Sequence, residues 1–150
     1  MVEFAMVLPL FLLTLLGTID AGLWSLETSA AVSAAEQGVR VAVSATDASG
    51  RTSAATSATV ASLVAPQLRT VAFATDVRPW PAGVPCPTSA DVVRQRWGDH
   101  VLAVCAEPGS GGQVSVEVVG SVASLVPPAY AFAGSSIPVR VGAVSQGLLP

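Results

Sequence analysis

Residues 4–24 read FAMVLPLFLLTLLGTIDAGLW, and this stretch decides how the rest of the chain can fold. No charged residue occurs in it before Asp20. About 20 mostly apolar residues, at about 1.5 Å each, span the hydrocarbon core of a bilayer as a helix. Trp24 follows Asp20 at the outer end, where an aromatic side chain is favoured between lipid and water. The stretch therefore predicts a membrane-spanning helix from about Val2 to Trp24.

A cleaved secretory signal is the alternative interpretation of the same residues. Such a signal has a basic start, a shorter apolar stretch and a small-x-small cleavage site. Here the charge near the start is the acidic Glu3, and no clean cleavage site precedes the next segment. We therefore favour the anchor. Pro9 lies inside it, and proline is tolerated in membrane helices when neighbouring groups satisfy the freed carbonyl.

The helix is expected to continue beyond the membrane. Residues 26–44 contain no Pro, one Gly and many good helix formers. A stripe of small residues recurs at every fourth position: Ala30, Ala34, Gly38 and Ala42. Such a stripe lets another helix or a sheet approach closely, although a plain alanine-rich helix fits equally well. We predict one nearly continuous helix to about Ala45, with at most a bend near Pro9, ended by the turn Asp47–Gly50.

The rest of the chain predicts a small domain with helices and strands. A second helix is expected over Ser53–Leu68, and Ser89 is expected to cap a short helix that runs to Trp97. Prolines make Arg78–Thr88 a loop. Four segments have the composition or alternation of strands: Thr70–Asp76, His100–Glu107, Gln113–Gly120 and Ser136–Val144.

These elements predict an α+β fold class in two parts. Residues 1–47 would form the transmembrane and extended N-terminal helix. Residues 48–150 would form an extracytoplasmic domain, in which a second helix accompanies an antiparallel β-sheet that packs on the outer half of the long helix.

Composition excludes several kinds of function. The chain has no Lys or Asn, seven dispersed arginines and a net charge of -3, which argues against a nucleic-acid surface. Without Lys there is no phosphate-loop lysine and no Schiff base. His100 is the one imidazole, and no Gly-x-Ser-x-Gly elbow occurs, so no acyl-transfer triad is predicted. We expect no catalysis and no cofactor.

Cys86 and Cys105 are the only cysteines. In a domain outside the cytoplasm such a pair favours a disulfide, which would tie the Pro-rich loop to the second of the four predicted strands. The pair has no companion ligands at zinc-site spacing, so a metal site is not expected. Two reduced, buried thiols are the alternative.

The run from Val2 to Gly22 resembles the N-terminal signature of TadE-like proteins. That signature has a Glu followed by an aromatic residue, an apolar stretch, Leu-Pro, more apolar residues and Gly-x-x-Asp/Glu. The matching positions here are Glu3-Phe4, Leu8-Pro9 and Gly17-Thr-Ile-Asp20. Residues 34–42, AAEQGVRVA, resemble the family's Ala-Ala-x-x-Gly-Ala-Arg stretch, with Val39 in place of the usual Ala.

The resemblance implies a structural minor pilin, or pseudopilin, that takes part in assembly of tight-adherence (Flp/Tad) pili. Its implied partners are other pilin or pseudopilin subunits, the pilus assembly platform, the lipid membrane, and a prepilin peptidase if a leader is present upstream. Its implied location is the bacterial cytoplasmic membrane, as a single-pass protein with its C-terminal domain outside, or the extracellular pilus.

Glu3 is the assembly residue that the resemblance implies. It matches the acidic residue that normally lies five residues into the mature chain and neutralises the free amine of a neighbouring subunit. A carboxylate at the edge of a spanning helix is costly, so a partner is expected, although a Glu solvated among headgroups is the alternative. Since Glu3 follows Met1 so closely, we expect Met1 to be internal or the chain trimmed, unless leader processing is not used.

A different class of function is also compatible with the anchor. The chain would then be a membrane-anchored extracytoplasmic binding module unrelated to pilus assembly. It would recognise a surface ligand through the Pro-rich loop or through Val126–Tyr130, which reads VPPAY.

Overall fold

The computed structural model describes residues 2–45, 48–64, 76–110, 113–123 and 136–144, without the side chains of residues 2–6, 48 and 49. Its elements in chain order are α1 (Val2–Ser44), α2 (Ala48–Val64), β1 (Asp76–Pro79), α3 (Ala90–Trp97), β2 (Val101–Pro108), β3 (Val114–Ala123) and β4 (Ser136–Val144). The predicted α+β class is confirmed: a long apolar helix precedes a second helix and a four-stranded sheet.

The first helix, α1, is continuous over 43 residues and is not interrupted at Pro9. At about 1.5 Å per residue it is about 64 Å long, roughly twice the hydrocarbon thickness of a bilayer. Just past its end, the Ala45 N–H donates to the Ala42 carbonyl at 3.2 Å. The predicted continuous helix is confirmed. The predicted breaker is shorter than expected, because α2 already begins at Ala48 and includes Gly50.

The sheet has the order β1-β2-β3-β4 and is mixed. Strands β2, β3 and β4 are antiparallel neighbours, as predicted, whereas β1 pairs parallel with β2. A parallel pair needs a crossover connection, which the Pro-rich loop and α3 provide. The first predicted strand is displaced: β1 takes in Arg78 and Pro79, which had been assigned to loop. Residues 70–75 lie outside the described part.

Both faces of the sheet are covered, because successive side chains of a strand point to opposite faces. The face towards α1 and α2 buries alternate valines of β3, as the sequence pattern predicted, together with residues of β2 and β4: Leu102, Val104, Val114, Val116, Val118, Val122 and Val139. The other face buries a second cluster under α3 and the Pro-rich loop: Trp80, Val93, Val101, Ala103, Cys105 and Val119. The outer half of α1 belongs to the first of these cores.

The two shorter helices differ in how closely they follow the sequence pattern. Helix α2 begins five residues before the predicted Ser53 and ends at Val64, beyond which residues 65–68 lie outside the described part. Helix α3 has the predicted bounds, with Ser89 in extended conformation at its N-cap. The predicted capping by Ser89 is wrong in one respect, because its side chain makes no hydrogen bond to the first turn of the helix. Gly98 ends α3 with a φ of 92° and donates its N–H to the Arg94 carbonyl at 2.8 Å.

Candidate functional site

The first half of α1 is an exposed apolar surface. Its large exposed side chains are Val7, Leu8, Leu10, Phe11, Leu12, Leu13, Leu15, Leu16, Ile19, Trp24 and Leu26. Among the described residues, α1 is the one helix whose length and composition allow it to cross a membrane. An apolar surface of this extent, left uncovered by the rest of the fold, marks contact with lipid or with another protein. This half of α1 is therefore suited to anchoring the chain in a membrane.

Two hydroxyl groups within this apolar surface are satisfied by the helix itself. Thr14 Oγ1 donates to the Phe11 carbonyl and Thr18 Oγ1 to the Leu15 carbonyl, each at 2.8 Å. Hydrocarbon offers no hydrogen-bond partners, so internal bonds of this kind lower the cost of placing a threonine there. Asp20 is half-exposed and precedes Trp24 by about one turn, at the outer end of the apolar stretch.

In the second half of α1 the small-residue stripe is largely buried, and at Gly38 it lies against α2. Ala34, Gly38 and Ala42 are buried, and Ala30 is half-buried. The closest approach is at Gly38, where an added Cβ would clash with Thr59 Oγ1 and lie 2.8 Å from the Ala55 carbonyl oxygen. The absence of a side chain at Gly38 therefore lets the backbones of α1 and α2 approach closely, as expected of a small-residue stripe.

Several hydroxyl groups of the Ser- and Thr-rich helix α2 are hydrogen-bonded to the carbonyls of the same helix. Thr59, which is fully buried, donates to the Ala55 carbonyl at 2.8 Å, and Thr56 and Ser62 donate to the carbonyls four residues before them. Ser62 Oγ also lies 2.7 Å from Gln37 Oε1 of α1, which joins the two helices at their margin. Each hydroxyl is thus satisfied without leaving the helix.

Glu27 is a buried acidic residue that the sequence analysis did not single out. Only 6% of it is exposed, at the level where α1 first meets the domain. A signal was present in the sequence, because Glu27 precedes Ala34 by seven residues and Gly38 by eleven. These spacings place all three residues on one face of a helix.

The Pro-rich loop is held to the sheet by the disulfide and by hydrogen bonds. Cys86 and Cys105 are bonded, with Cα atoms 5.7 Å apart. Next to the bridge, the Cys86 N–H donates to Glu107 Oε1 at 2.7 Å. Trp80 donates its backbone N–H to the Val104 carbonyl at 2.7 Å and its indole N–H to the Pro85 carbonyl at 3.0 Å. The loop is therefore a fixed part of the domain.

Arginines and tryptophans interlock beside this loop. The Trp80 and Trp97 rings meet edge to face, with centroids 5.2 Å apart, and the Arg96 guanidinium lies 5.2 Å from the Trp80 centroid. Arg78 bonds Asp76 at 2.6 Å, and Arg94 bonds Asp91 at 2.8 Å. Each of these three arginines thus lies beside a ring or a carboxylate, and the Arg96 contact with Trp80 is within the range of a cation–π interaction.

A groove of about 680 Å³ lies between the loop, α2 and the end of β2. It is lined by the loop residues 79–85, by residues 105–108 and by four hydroxyl side chains of α2: Thr52, Ser53, Thr56 and Ser57. The Pro-rich loop, which the binding-module alternative names, forms one wall of this groove. The other segment named for that alternative, Val126–Tyr130, lies outside the described residues.

The residues that could have formed a metal site or a catalytic site are Cys86, Cys105 and Glu107, and His100. Cys86, Cys105 and Glu107 lie within 4.8 Å of one another, but both sulfurs are in the disulfide, so this group offers no thiolate ligand. His100 lies in the turn between α3 and β2 with a φ of 63°, and its backbone N–H donates to Ser121 Oγ at 3.2 Å.

Residues 1–40 match the family model of TadE-like proteins. The resemblance predicted from the sequence is thereby confirmed over that region. No curated protein and no solved structure matches the chain at a significant level.

The TadE-like region coincides with α1. It covers the exposed apolar half of the helix and continues through Gly38 to Arg40, whereas α2, α3 and the sheet lie beyond it. Glu3 is in the first turns of α1, and its side chain is outside the described part. The match indicates a pilus-associated protein, and the part that it covers is the exposed apolar half of α1 together with most of the half that is buried against the domain.

Removing the disulfide is expected to loosen the domain without unfolding it at room temperature. The bridge closes a loop of 19 residues, so replacing both cysteines with alanine should lower the free energy of unfolding by about 3 kcal/mol. Denaturant unfolding of the full chain in detergent would measure this, with reduced wild-type protein as the control. The bridge itself is contradicted if both thiols alkylate without reductant in protein exported by a bacterium.

Proposed function

We propose that this chain is a structural minor pilin, or pseudopilin, that takes part in assembly of tight-adherence (Flp/Tad) pili. The observation that supports it most is α1: a single helix with an exposed apolar half continues without a break into the core of the domain. A simple tether needs no such rigid continuation, since a flexible linker would serve. In the TadE-like region, where this helix lies, the resemblance implies an assembly subunit and not a catalyst.

The proposal includes an orientation in the membrane. Residues 4–24 would cross the bacterial cytoplasmic membrane, and the domain would lie outside the cytoplasm. The disulfide supports this orientation, because disulfides form and persist in oxidising compartments and are rare in the cytosol. Partners would be other pilin or pseudopilin subunits and the assembly platform, and prepilin peptidase would act if a leader precedes this sequence.

Deletion of the gene in its own bacterium tests the function. We expect piliation to be lost and to return when the gene is supplied in trans. Antibody detection in sheared fibres and in membranes would then locate the protein. A deletion strain with normal pili would show that the chain is not an assembly subunit.

Replacing Glu3 with alanine is expected to abolish piliation while membrane levels of the protein stay normal. The apolar segment becomes more hydrophobic, so insertion should be unharmed, and the domain lies beyond Trp24. Pairing with a neighbouring subunit should fail, because a buried amine would lose its counter-charge. Piliation and membrane levels would be measured side by side.

Two further variants sharpen the Glu3 experiment. Glu3→Gln keeps the length of the side chain and removes only its charge, so it should behave as Glu3→Ala does. Thr14→Ala changes the same helix at an exposed residue whose hydroxyl donates to the Phe11 carbonyl, so it should leave piliation intact. Normal piliation of Glu3→Ala at normal protein levels would mean that Glu3 is a solvated residue at the membrane edge.

The membrane-anchored binding module is the second candidate function, and the groove beside the Pro-rich loop is the observation that favours it. The two functions differ in what the chain requires. A binding module acts without the pilus genes, whereas a pseudopilin has no role once the assembly ATPase and prepilin peptidase are removed. A phenotype of the deletion that persists in a strain without those genes would favour the binding module.

A further inference from the structure

Glu36 and Arg40 form a charged pair of positions on the uncovered face of α1. Both are exposed, whereas Ala34, Ala35 and Gly38 beside them are buried against the domain. They are four residues apart, so they lie on one face about one turn from each other. This face of the helix points away from α2 and the sheet.

Neither of these two side chains forms an ion pair within the described part of the chain. The ion pairs found there are Asp76–Arg78, Asp91–Arg94 and Glu117–Arg140. Other residues at this end of the TadE-like region have a role in the fold, since Ala34 is buried in the core and Gly38 lies against α2. Arg40, the last residue of the matched region, is exposed, as Glu36 is.

We propose that Glu36 and Arg40 pair with Arg40 and Glu36 of further copies of this chain, through α1 helices packed in parallel and shifted by one helical turn. The partner is a second copy because the face carries both members of the pair and is complementary to itself. The packing is parallel because copies anchored by the same segment cross the membrane in the same direction. A shift of four residues, about 6 Å, brings Glu36 of one copy level with Arg40 of the next.

The shift also follows from electrostatics. Unshifted parallel helices would place Glu36 level with Glu36 and Arg40 level with Arg40, and like charges across an interface are strongly disfavoured. The neighbouring positions on this face, Ser29 and Ser33, are small and exposed, so they do not hold the helices apart. A shifted contact is not symmetric, so each copy keeps a free Glu36 or Arg40 for another neighbour.

Charge exchange in cross-linkable protein tests the pairing. A shift of four residues places Ser29 of one copy beside Ser33 of the next, so Ser29→Cys and Ser33→Cys chains expressed together should form a disulfide-linked dimer. The native cysteines are already bridged and do not compete. As a control, Ser29→Cys is expressed with Ser53→Cys, an exposed position on α2, and this pair should not cross-link.

Glu36→Arg or Arg40→Glu, each present in both chains, should lower the cross-linked fraction about fivefold or more, because like charges then meet. The double variant carrying both exchanges restores complementarity and should cross-link as the parent does. So should a mixture of one Glu36→Arg chain with one Arg40→Glu chain. All of these positions are exposed, so folding should be unaffected.

Each opposite outcome overturns the pairing. The pairing is refuted if the Ser29–Ser33 pair cross-links no better than the control, or if cross-links form only to a different protein. It is also refuted if the single charge variants cross-link as the parent does, or if cross-linking of the double variant does not recover. The inference rests on the proposed role as an assembly subunit, but the two fail separately. Normal piliation in the deletion strain refutes the role, whereas charge-independent cross-linking refutes only the pairing.

Discussion

Replacing Gly38 with alanine is expected to lower the free energy of unfolding by about 2 kcal/mol, and replacing it with valine by more. The added Cβ would lie 2.8 Å from the Ala55 carbonyl oxygen, a backbone atom that cannot rotate away. Helices α1 and α2 would have to move apart and loosen the core that they share with the sheet. The free energy lost through this separation exceeds the gain of about 1 kcal/mol in helix propensity when alanine replaces glycine.

Gly22 offers a matched control in the same helix. A Cβ added there meets nothing within 4 Å, so Gly22→Ala should leave stability unchanged or raise it by up to about 1 kcal/mol. Both variants would be measured as full chains in detergent by denaturant unfolding. Equal stability of the Gly38 and Gly22 variants would show that the closest approach of α1 and α2 is not at Gly38.

Alanine at Gly120 is expected to cost about 3 kcal/mol, at the upper end for an overpacked core. Gly120 of β3 pairs with Leu102 of β2, and an added Cβ would clash with the Val101 carbonyl oxygen and lie 2.9 Å from the Leu102 Cα. Both are backbone atoms of the neighbouring strand, so β2 and β3 would have to separate locally. Amide hydrogen exchange of β2 should rise in the same variant.

The control for this substitution is Gly142 in β4. A Cβ there would meet Glu117 Cγ at 3.4 Å and the Val116 carbonyl oxygen at 3.5 Å, which are ordinary contacts. Gly142 is exposed, so Gly142→Ala should change stability by no more than about 0.5 kcal/mol. If Gly120→Ala is equally mild, the close approach of β2 and β3 at this pair is relieved without strain.

The parts of the fold that were predictable have local causes. The length of the apolar stretch predicts α1, and the alternation of valines with polar residues predicts β3 and the face it buries. A glycine after Trp97 predicts the end of α3, because a positive φ favours glycine. In each case a few neighbouring residues contain the whole signal.

The parts that were missed depend on contacts distant in sequence. Strand β1 is short, charged and ends in Pro79, so only its pairing with β2 makes it a strand. Gly120 was taken as the end of a strand, whereas β3 runs through it to Ala123, because the missing side chain makes room for Leu102 of the neighbouring strand. The packing of Trp80 on Trp97 likewise has no local pattern.

The two outer edges of the sheet, as the described residues form it, carry features that oppose backbone pairing between copies of this chain. At one edge, β1 has only four residues, two of them charged, and ends in a proline. At the other edge, β4 carries Pro138 and Arg140, both exposed. The shortness of β1 and the prolines and charges at both edges oppose strand addition, the route by which crowded β-proteins aggregate into amyloid-like fibres. Backbone pairing between the sheet edges of neighbouring copies is thereby opposed.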